Sequence, residues 1–171
     1  MTIRPATEQD VPAITAIYNE VVANSNAVWT EKQDSEADRL IWMKARQALG
    51  YPVLVAVEGS TVLGYGTFGD FRAWPGYRYS VEHSVYIGKD YRGRGLGRLI
   101  VEELVTAATT LGKHVLIAGI DGSNEASLRL HAQMGFVEVA RMPEIGRKFG
   151  RWLDLVFMQR MLDAPGAARA D

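Results

Sequence analysis

The chain has 171 residues, which is enough for one domain with a substantial core. An apolar share of 47% argues against disorder, and 19 basic against 20 acidic residues leave no positive excess for nucleic acid or an anionic membrane. The absence of cysteine excludes disulfides, thiolate zinc sites and a cysteine nucleophile. The sequence has no signal-peptide core or membrane-length apolar run, so we expect a cytoplasmic protein without a membrane partner or a metal.

Hydrophobic periodicity and turn residues predict eleven elements along the chain. In chain order they are a strand at 2–5, helices at 11–22 and 35–48, strands at 52–58, 61–71 and 77–87, a helix at 96–111, a strand at 114–120, a helix at 124–134, and strands at 136–140 and 152–161. We therefore expect one domain over residues 1–163, with a mixed sheet and helices on both faces. Residues 164–171 are predicted to be a disordered tail.

The stretch KDYRGRGLGRLIVEE at 89–103 places three glycines and three arginines at the start of a helix. The first amides of a helix lack intrahelical partners and carry partial positive charge, so they suit a phosphate. The bare glycines let a ligand approach, and Arg92, Arg94 and Arg98 can add charge; the alternative is a glycine-rich turn with solvated arginines. A P-loop is excluded because the segment lacks its Gly-Lys-Ser/Thr ending, and Arg98 stands where a dinucleotide fingerprint needs glycine.

Two separated motifs give the chain a family resemblance. Arg92-x-x-Gly95-x-Gly97 after a strand, followed by NEASLRLHAQMGF at 124–136, resembles the GNAT superfamily of acetyl-CoA-dependent N-acetyltransferases. The runs YSVEHSVYI at 79–87, SLRLH at 127–131 and KFGRWLD at 148–154 resemble its phosphinothricin and methionine sulfoximine N-acetyltransferases. The resemblance implies an α/β (α+β) fold with a mixed, mostly antiparallel sheet of about seven strands.

The same resemblance implies a reaction and a cofactor site. The reaction would be direct transfer of acetyl from acetyl-CoA, in a ternary complex, to the α-amino group of a small amino-acid-like substrate. The pyrophosphate would bind the glycine segment and the pantetheine arm would pair with the strand before it. The implied cofactor-binding residues are Val85, Tyr86, Ile87, Arg92, Gly93, Arg94, Gly95, Leu96, Gly97, Arg98, Asn124 and Ser127. Asn124 and Ser127 also suit a helix cap, and the two roles can coexist.

Two residues are candidates for acid–base chemistry. Glu82 lies on a strand expected to be largely buried, where a carboxylate is costly unless it is paired or functional. We expect it to be the general base for the amine, with an ion pair to Arg72 or Arg78 as the alternative. His131 stands where many family members have a tyrosine that reprotonates the thiolate, and either that role or a structural one fits it. His83 should point to the sheet face opposite Glu82 and is not expected to be catalytic.

The substrate side is predicted around a turn. Its candidate residues are Arg72, Pro75, Gly76, Tyr77 and Arg78, and an arginine pair could hold a substrate carboxylate. Trp29 is either a pocket wall or a core-edge aromatic. The segment 148–152 is a candidate contact with a second subunit, because the subgroup is typically homodimeric. Two other functions remain open, a peptide or protein N-acetyltransferase and a non-catalytic acyl-CoA-binding sensor; nucleic-acid binding has no support.

Overall fold

The computed structural model describes residues 1–162, so the predicted tail at 164–171 and the domain end at residue 163 lie outside the described residues. These residues form one seven-stranded sheet in the order β1-β2-β3-β4-β5-β7-β6. The strands are β1 (Thr2–Pro5), β2 (Val53–Glu58), β3 (Thr61–Asp70), β4 (Ser80–Ile87), β5 (Val115–Asp121), β6 (Val137–Lys148) and β7 (Arg151–Met161). Neighbouring strands are antiparallel except β4 and β5, which are parallel. The predicted mixed, mostly antiparallel sheet is confirmed.

Four helices cover the two faces of the sheet. They are α1 (Val11–Asn24), α2 (Glu36–Ala48), α3 (Leu96–Thr110) and α4 (Glu125–Gln133). Helices α1 and α2 pack on one face through residues such as Ile14 and Met43, against Val55 of β2. Helix α3 packs on the other face through Ile100 and Leu104, and α4 lies beside it. The side chains that alternate along β4 therefore point to different helix pairs.

The polar pattern at the start of α2 forms the predicted cap. The Ser35 hydroxyl accepts a hydrogen bond from the Asp38 amide at 3.1 Å, and the Asp38 carboxylate accepts one from the Ser35 amide at 3.0 Å. These bonds satisfy amides that have no partner within the helix. Before α1, the Asp10 carboxylate accepts from the Thr7 amide at 2.8 Å in the same way. Both helix starts therefore follow from local sequence.

Two predicted strands differ from the structure by three residues or more at one end, whereas the other strand ends agree to within one residue. Strand β4 begins at Ser80 rather than residue 77, because Pro75–Tyr77 form a 3₁₀ turn in which the Tyr77 amide donates to the Trp74 carbonyl at 2.9 Å. Strand β6 runs to Lys148 instead of ending at residue 140. Its second half contains proline and glycine, which usually interrupt strands, and a register shift between Met142 and Gly146 accommodates them.

None of the four helices within residues 1–162 combines the length and apolar character that a bilayer span requires.

Candidate active site

Strands β4 and β5 separate part of the way along their length. Their pairing runs from Ser80 opposite Val115 to His83 opposite Ala118 and then stops. Strand β4 nevertheless stays paired with β3 as far as Ile87. The edge of residues 84–87 therefore faces an opening in the sheet, and a cleft of about 620 Å³ extends from this opening along the start of α3.

The glycine segment forms the outer end of the cleft. Gly93 and Gly95 have φ values of +77° and +78°, in the left-handed region that other residues enter only with strain. Gly95 directly precedes the first turn of α3, where the unpaired helix amides and the positive end of the helix dipole lie. Apart from each glycine and its chain neighbours, no atom of residues 1–162 stands within 4 Å of the position that a Cβ would take at either glycine. The segment is therefore open to an anion, as the sequence predicted.

The three arginines of the segment have different surroundings. Arg92 donates to Glu20 at 2.6 Å and lines the cleft, and Arg98 lines it beside Glu102 of its own helix at 3.6 Å. Arg94 instead pairs with Glu58 of β2 at 3.0 Å and does not line the cleft. Of the twelve predicted cofactor residues, Arg94 is the one that the structure places outside the cleft lining.

Helix α4 forms the opposite wall of the cleft. The Asn124 side chain caps the helix by accepting from the Ser127 amide at 3.1 Å. Both residues also line the cleft, so the capping role and access to a ligand coexist. One turn further along the helix, His131 reaches the inner end of the cleft.

His131 forms a buried pair with His83 of β4. The two rings stack with centroids 5.1 Å apart, and their Nε2 atoms are 3.2 Å from each other. The Nδ1 atom of His131 lies 2.7 Å from the Ser127 carbonyl, which can only accept, so this nitrogen carries a proton. In the neutral pair His83 therefore donates from Nε2 to His131. Among residues 1–162, His83 Nδ1 has no hydrogen-bond partner.

Burial keeps both histidines neutral. Burial and, to a smaller extent, the neighbouring His131 together lower the pKa of His83 to about 3. Burial also lowers the pKa of His131, against a smaller opposing effect of the Ser127 carbonyl. His83 thus lines the cleft and contacts the candidate catalytic histidine, which alternation along the strand did not reveal.

Glu82 points to the other face of β4, the face that α1 and α2 cover. It is half-buried, and burial raises the pKa of its carboxyl, while the Arg72 and Arg46 guanidinium groups partly offset that rise. Its Oε1 atom lies over Gly119 of β5, where a Cβ would stand 2.6 Å away. The structure gives its carboxylate no hydrogen bond or ion pair with residues 1–162, which disfavours the alternative of a structural ion pair.

The predicted substrate turn is exposed, and its two arginines have different positions. Arg72 stacks over the Phe71 ring at 4.9 Å and lies close enough to Glu82 to lower its pKa. Arg78 donates to the Pro75 carbonyl at 3.2 Å and stacks over Tyr79 at 4.5 Å. The structure therefore brings Arg72, but not Arg78, towards Glu82. Pro75, Gly76 and Tyr77 form the exposed 3₁₀ turn between them, with the Tyr77 ring 5.9 Å from that of Phe71.

The segment 148–152 begins with a buried lysine. Lys148 Nζ donates to the carbonyls of Val22, Ser25 and Val28 at 2.6–2.7 Å, which anchors the end of α1 and the loop after it. Trp29 in that loop packs on the bare backbone of Gly146. Lys148 thus has an intramolecular role that its position in the predicted contact segment did not suggest, whereas Trp152 is 60% exposed.

Comparison with known proteins agrees with this geometry. Residues 1–137 match the acetyltransferase (GNAT) domain family. An L-methionine sulfoximine/L-methionine sulfone acetyltransferase of Salmonella typhimurium is 51% identical over 170 residues, covering 99% of each chain. Among solved structures, an acetyltransferase from Salmonella typhimurium with its cofactor acetyl-CoA superposes with a TM-score of 0.95 at 50% identity, covering 100% of this chain and 99% of that one.

A second solved structure is a GNAT superfamily phosphinothricin acetyltransferase from Sinorhizobium meliloti in complex with acetyl-CoA. It superposes with a TM-score of 0.91 at 40% identity, covering 94% of this chain and 88% of that one. The family resemblance carried by the two sequence motifs is confirmed. The chain belongs to the acetyltransferase (GNAT) domain family.

Proposed function

We propose that this protein transfers the acetyl group of acetyl-CoA to the α-amino group of a small amino acid, of the type represented by methionine sulfoximine, methionine sulfone or phosphinothricin. The observation that carries the proposal is the opening between β4 and β5, from which the cleft extends to the open start of α3 and to Gly119, over which the Glu82 carboxylate lies. The named substrates of the relatives support the choice of amine.

The cleft fits acetyl-CoA in both its charged and its amide-rich parts. The pyrophosphate would bind the free amides at Gly93, Gly95 and the first turn of α3, aided by Arg92 and Arg98. The pantetheine arm would pair with the open edge of residues 84–87 as an added strand. This places the thioester at the point where β4 and β5 separate.

Glu82 would prepare the amine for attack. An ammonium group has no lone pair, so the carboxylate removes one proton, directly or through a water. The neutral nitrogen then attacks the thioester carbon in the ternary complex, and a β4 amide near Val85 would hold the resulting oxyanion. The raised pKa of the Glu82 carboxyl makes it a better proton acceptor than an ordinary carboxylate.

Collapse of the intermediate breaks the carbon–sulfur bond and releases a thiolate, which takes a proton. His131 would donate it from the opposite face of β4. Although burial keeps this ring neutral in the free protein, the developing thiolate is an opposite charge nearby and raises the pKa of the imidazole during the reaction. His131 would first take up a second proton from solvent in the cleft, because its one proton in the neutral pair is on Nδ1 and bonds the Ser127 carbonyl. The imidazolium would then give a proton to the sulfur.

Thiol release from acetyl-CoA tests the proposal directly. We expect turnover with at least one of methionine sulfoximine, methionine sulfone and phosphinothricin. Acetyl-CoA binding without turnover on any of them or on the common amino acids would contradict an amino-acid substrate. In that case a peptide panel separates a peptide acetyltransferase from a non-catalytic acyl-CoA sensor.

Substitutions at the two glycines that flank α3 test the cofactor site. Gly95→Val should weaken acetyl-CoA binding by at least about tenfold, because a side chain would stand between the ligand and the helix amides. Gly112→Val is the matched control, since Gly112 has a similar φ of +68° at the other end of α3, away from the cleft. Isothermal titration with acetyl-CoA and a thermal melt measure both variants. Equal affinity in the two would contradict the proposed phosphate site.

The protein is also proposed to act as a homodimer. The β6–β7 hairpin exposes large apolar side chains, and exposed apolar groups of this kind are typical of subunit contacts. They include Val137, Val139, Ile145, Phe149 and Trp152. Light scattering coupled to gel filtration should give twice the monomer mass, and Trp152→Lys should shift the equilibrium towards monomer; a monomeric wild type would contradict the proposal.

A further inference from the structure

Helix α2 contributes a guanidinium to the Glu82 side of the sheet. A Cβ on Gly69 would overlap the Arg46 guanidinium, so that group lies directly on the bare backbone of β3 at this position. Gly69 is the cross-strand partner of Glu82, and paired residues project to the same face with Cβ positions about 5 Å apart. Arg46 therefore takes the place of the side chain that Gly69 lacks, next to Glu82.

The Arg46 guanidinium and the Glu82 carboxylate form neither a hydrogen bond nor an ion pair with each other. The structure gives the Arg46 guanidinium no hydrogen bond or ion pair with any group in residues 1–162. The buried arginine of the same helix is different, because Arg39 donates to Asp34 at 2.8 Å and stacks on Tyr18. A guanidinium held beside a carboxylate without contacting it leaves both groups with hydrogen-bonding capacity that a ligand can use.

The spacing and charges match an α-amino acid. Such a molecule carries its ammonium and its carboxylate on one carbon. An amino acid whose nitrogen lies at Glu82 therefore has its carboxylate near the Arg46 guanidinium. A guanidinium binds a carboxylate through two parallel hydrogen bonds. Arg72 also lies near Glu82, but it is exposed and stacked on Phe71, whereas Arg46 is half-buried.

We propose that Arg46 binds the α-carboxylate of the substrate and thereby determines specificity for amino acids over amines that lack this group. The proposal rests on the proposed function. It also gives Gly69 a role, because only a residue without a side chain lets the guanidinium lie beside Glu82.

The test crosses two enzyme variants with two substrates. The substrates are methionine sulfone and its α-carboxamide, which keeps the amine but lacks the carboxylate. For the free acid, Arg46→Gln should lower kcat/KM by about tenfold to a hundredfold, the range expected for hydrogen bonds to a charged group. For the carboxamide it should change kcat/KM little, so that the preference of the wild type for the acid disappears.

Gly69→Ala provides an independent variant that keeps the arginine. The new methyl group would displace the flexible tip of Arg46, and Gly69 has no positive φ that would strain alanine. We expect the same loss of acid preference with unchanged acetyl-CoA affinity. Lys44→Gln is the matched control, since Lys44 lies on the same helix but is exposed and paired with Glu8 at 2.8 Å.

The outcomes separate this proposal from the proposed function. A wild type that releases no thiol with any amino acid contradicts the proposed function, and the assignment of Arg46 falls with it. A wild type that turns over the acid, with an acid-to-amide ratio unchanged in both Arg46→Gln and Gly69→Ala, overturns the Arg46 proposal alone. An equal loss on both substrates overturns it as well, because a carboxylate contact affects only the acid.

Discussion

The two faces of strand β4 show how one burial effect gives two chemical environments. On one face burial raises the pKa of Glu82, and the nearby Arg72 and Arg46 guanidinium groups limit the rise. On the other face burial lowers the pKa of His83 and of His131, and their main hydrogen bonds are to each other and to a carbonyl. Desolvation favours the neutral form on both faces. On the Glu82 face, the opposite charges of Arg72 and Arg46 partly counter this effect.

In the proposed mechanism, this difference puts the two proton transfers on opposite sides of the thioester. The carboxylate face is suited to take a proton from the amine, and the histidine face can give one only after a negative charge develops. The separation of β4 from β5 directly after His83 and Ala118 lets a thioester reach both faces. The following changes test this division, from the largest expected effect to the smallest.

Removing the charge of Glu82 should have the largest effect. Glu82→Gln keeps the size of the side chain but cannot accept the proton, so kcat should fall by about 10²- to 10⁴-fold. Affinity for acetyl-CoA should stay unchanged, because the carboxylate lies outside the cleft lining. Steady-state thiol release and titration calorimetry measure the two quantities. Glu138→Gln, an exposed carboxylate on β6, is the control, and a kcat of Glu82→Gln equal to that of the control would remove Glu82 from the chemistry.

Moving the carboxylate without removing it should have a smaller effect. In Gly119→Ala the new Cβ would stand 2.6 Å from Glu82 Oε1, so the carboxylate must shift. A displacement of about 1 Å at a reacting group can reduce the rate by roughly a hundredfold, and we expect kcat to fall by about tenfold to a hundredfold. Single-turnover rates at saturating acetyl-CoA measure this step. Wild-type rates in this variant would show that the position of Glu82 over Gly119 does not matter for the reaction.

The pH dependence of kcat/KM should show the effect of Arg72 and Arg46 on the pKa of Glu82. The base acts when it is deprotonated, so kcat/KM should rise with pH through an apparent pKa above the usual carboxyl value of 4.5. Arg72 lowers the pKa of Glu82, so Arg72→Gln should move this rise to higher pH, and Arg46→Gln should move it in the same direction. The shift can be measured from profiles of kcat/KM between about pH 4 and 9, where carboxylates and histidines titrate. A shift to lower pH would contradict the charge arrangement.

A change at His83 should affect the free energy of unfolding more than the reaction rate. His83 titrates at 6.5 when unfolded and at about 3 when folded, so the unfolded chain binds more protons between these values. The free energy of unfolding should therefore fall with decreasing pH in this window, by up to about 1.4 kcal/mol per pH unit from this group. His83→Gln cannot titrate, and its stability should depend less steeply on pH. Urea denaturation at several pH values measures the slope; equal slopes would mean that His83 is not held neutral.

Features that depend on local sequence were predicted well. The caps at Ser35 and Asn124, the hairpin of β2 and β3, and the glycine segment each use residue types with one dominant local geometry. The resemblance to the acetyltransferase family added the mixed, mostly antiparallel sheet of about seven strands. The alternation of β4 correctly separated Glu82 from His83.

Features that depend on contacts distant in sequence were missed. Arg46 lies 36 positions before Glu82, and no local pattern links it to the bare backbone of Gly69. Lys148 reaches carbonyls more than 100 residues earlier, and His83 meets His131 only because α4 packs over β4. The glycines at 64, 66 and 69 of β3 are a usable signal, since glycine inside a strand often marks a bulge or a close neighbour. That signal did not identify which side chain would fill the space.

The most direct test of the account is a crystal structure of the protein with a non-reactive acetyl-CoA analogue and methionine sulfone. We predict that the pantetheine arm lies along residues 84–87 in the opening between β4 and β5. The amino group should be within hydrogen-bond reach of Glu82 or of one bridging water, and the carboxylate should contact Arg46. An amino group bound on the side of His83 and His131 would contradict the assignment of the two faces.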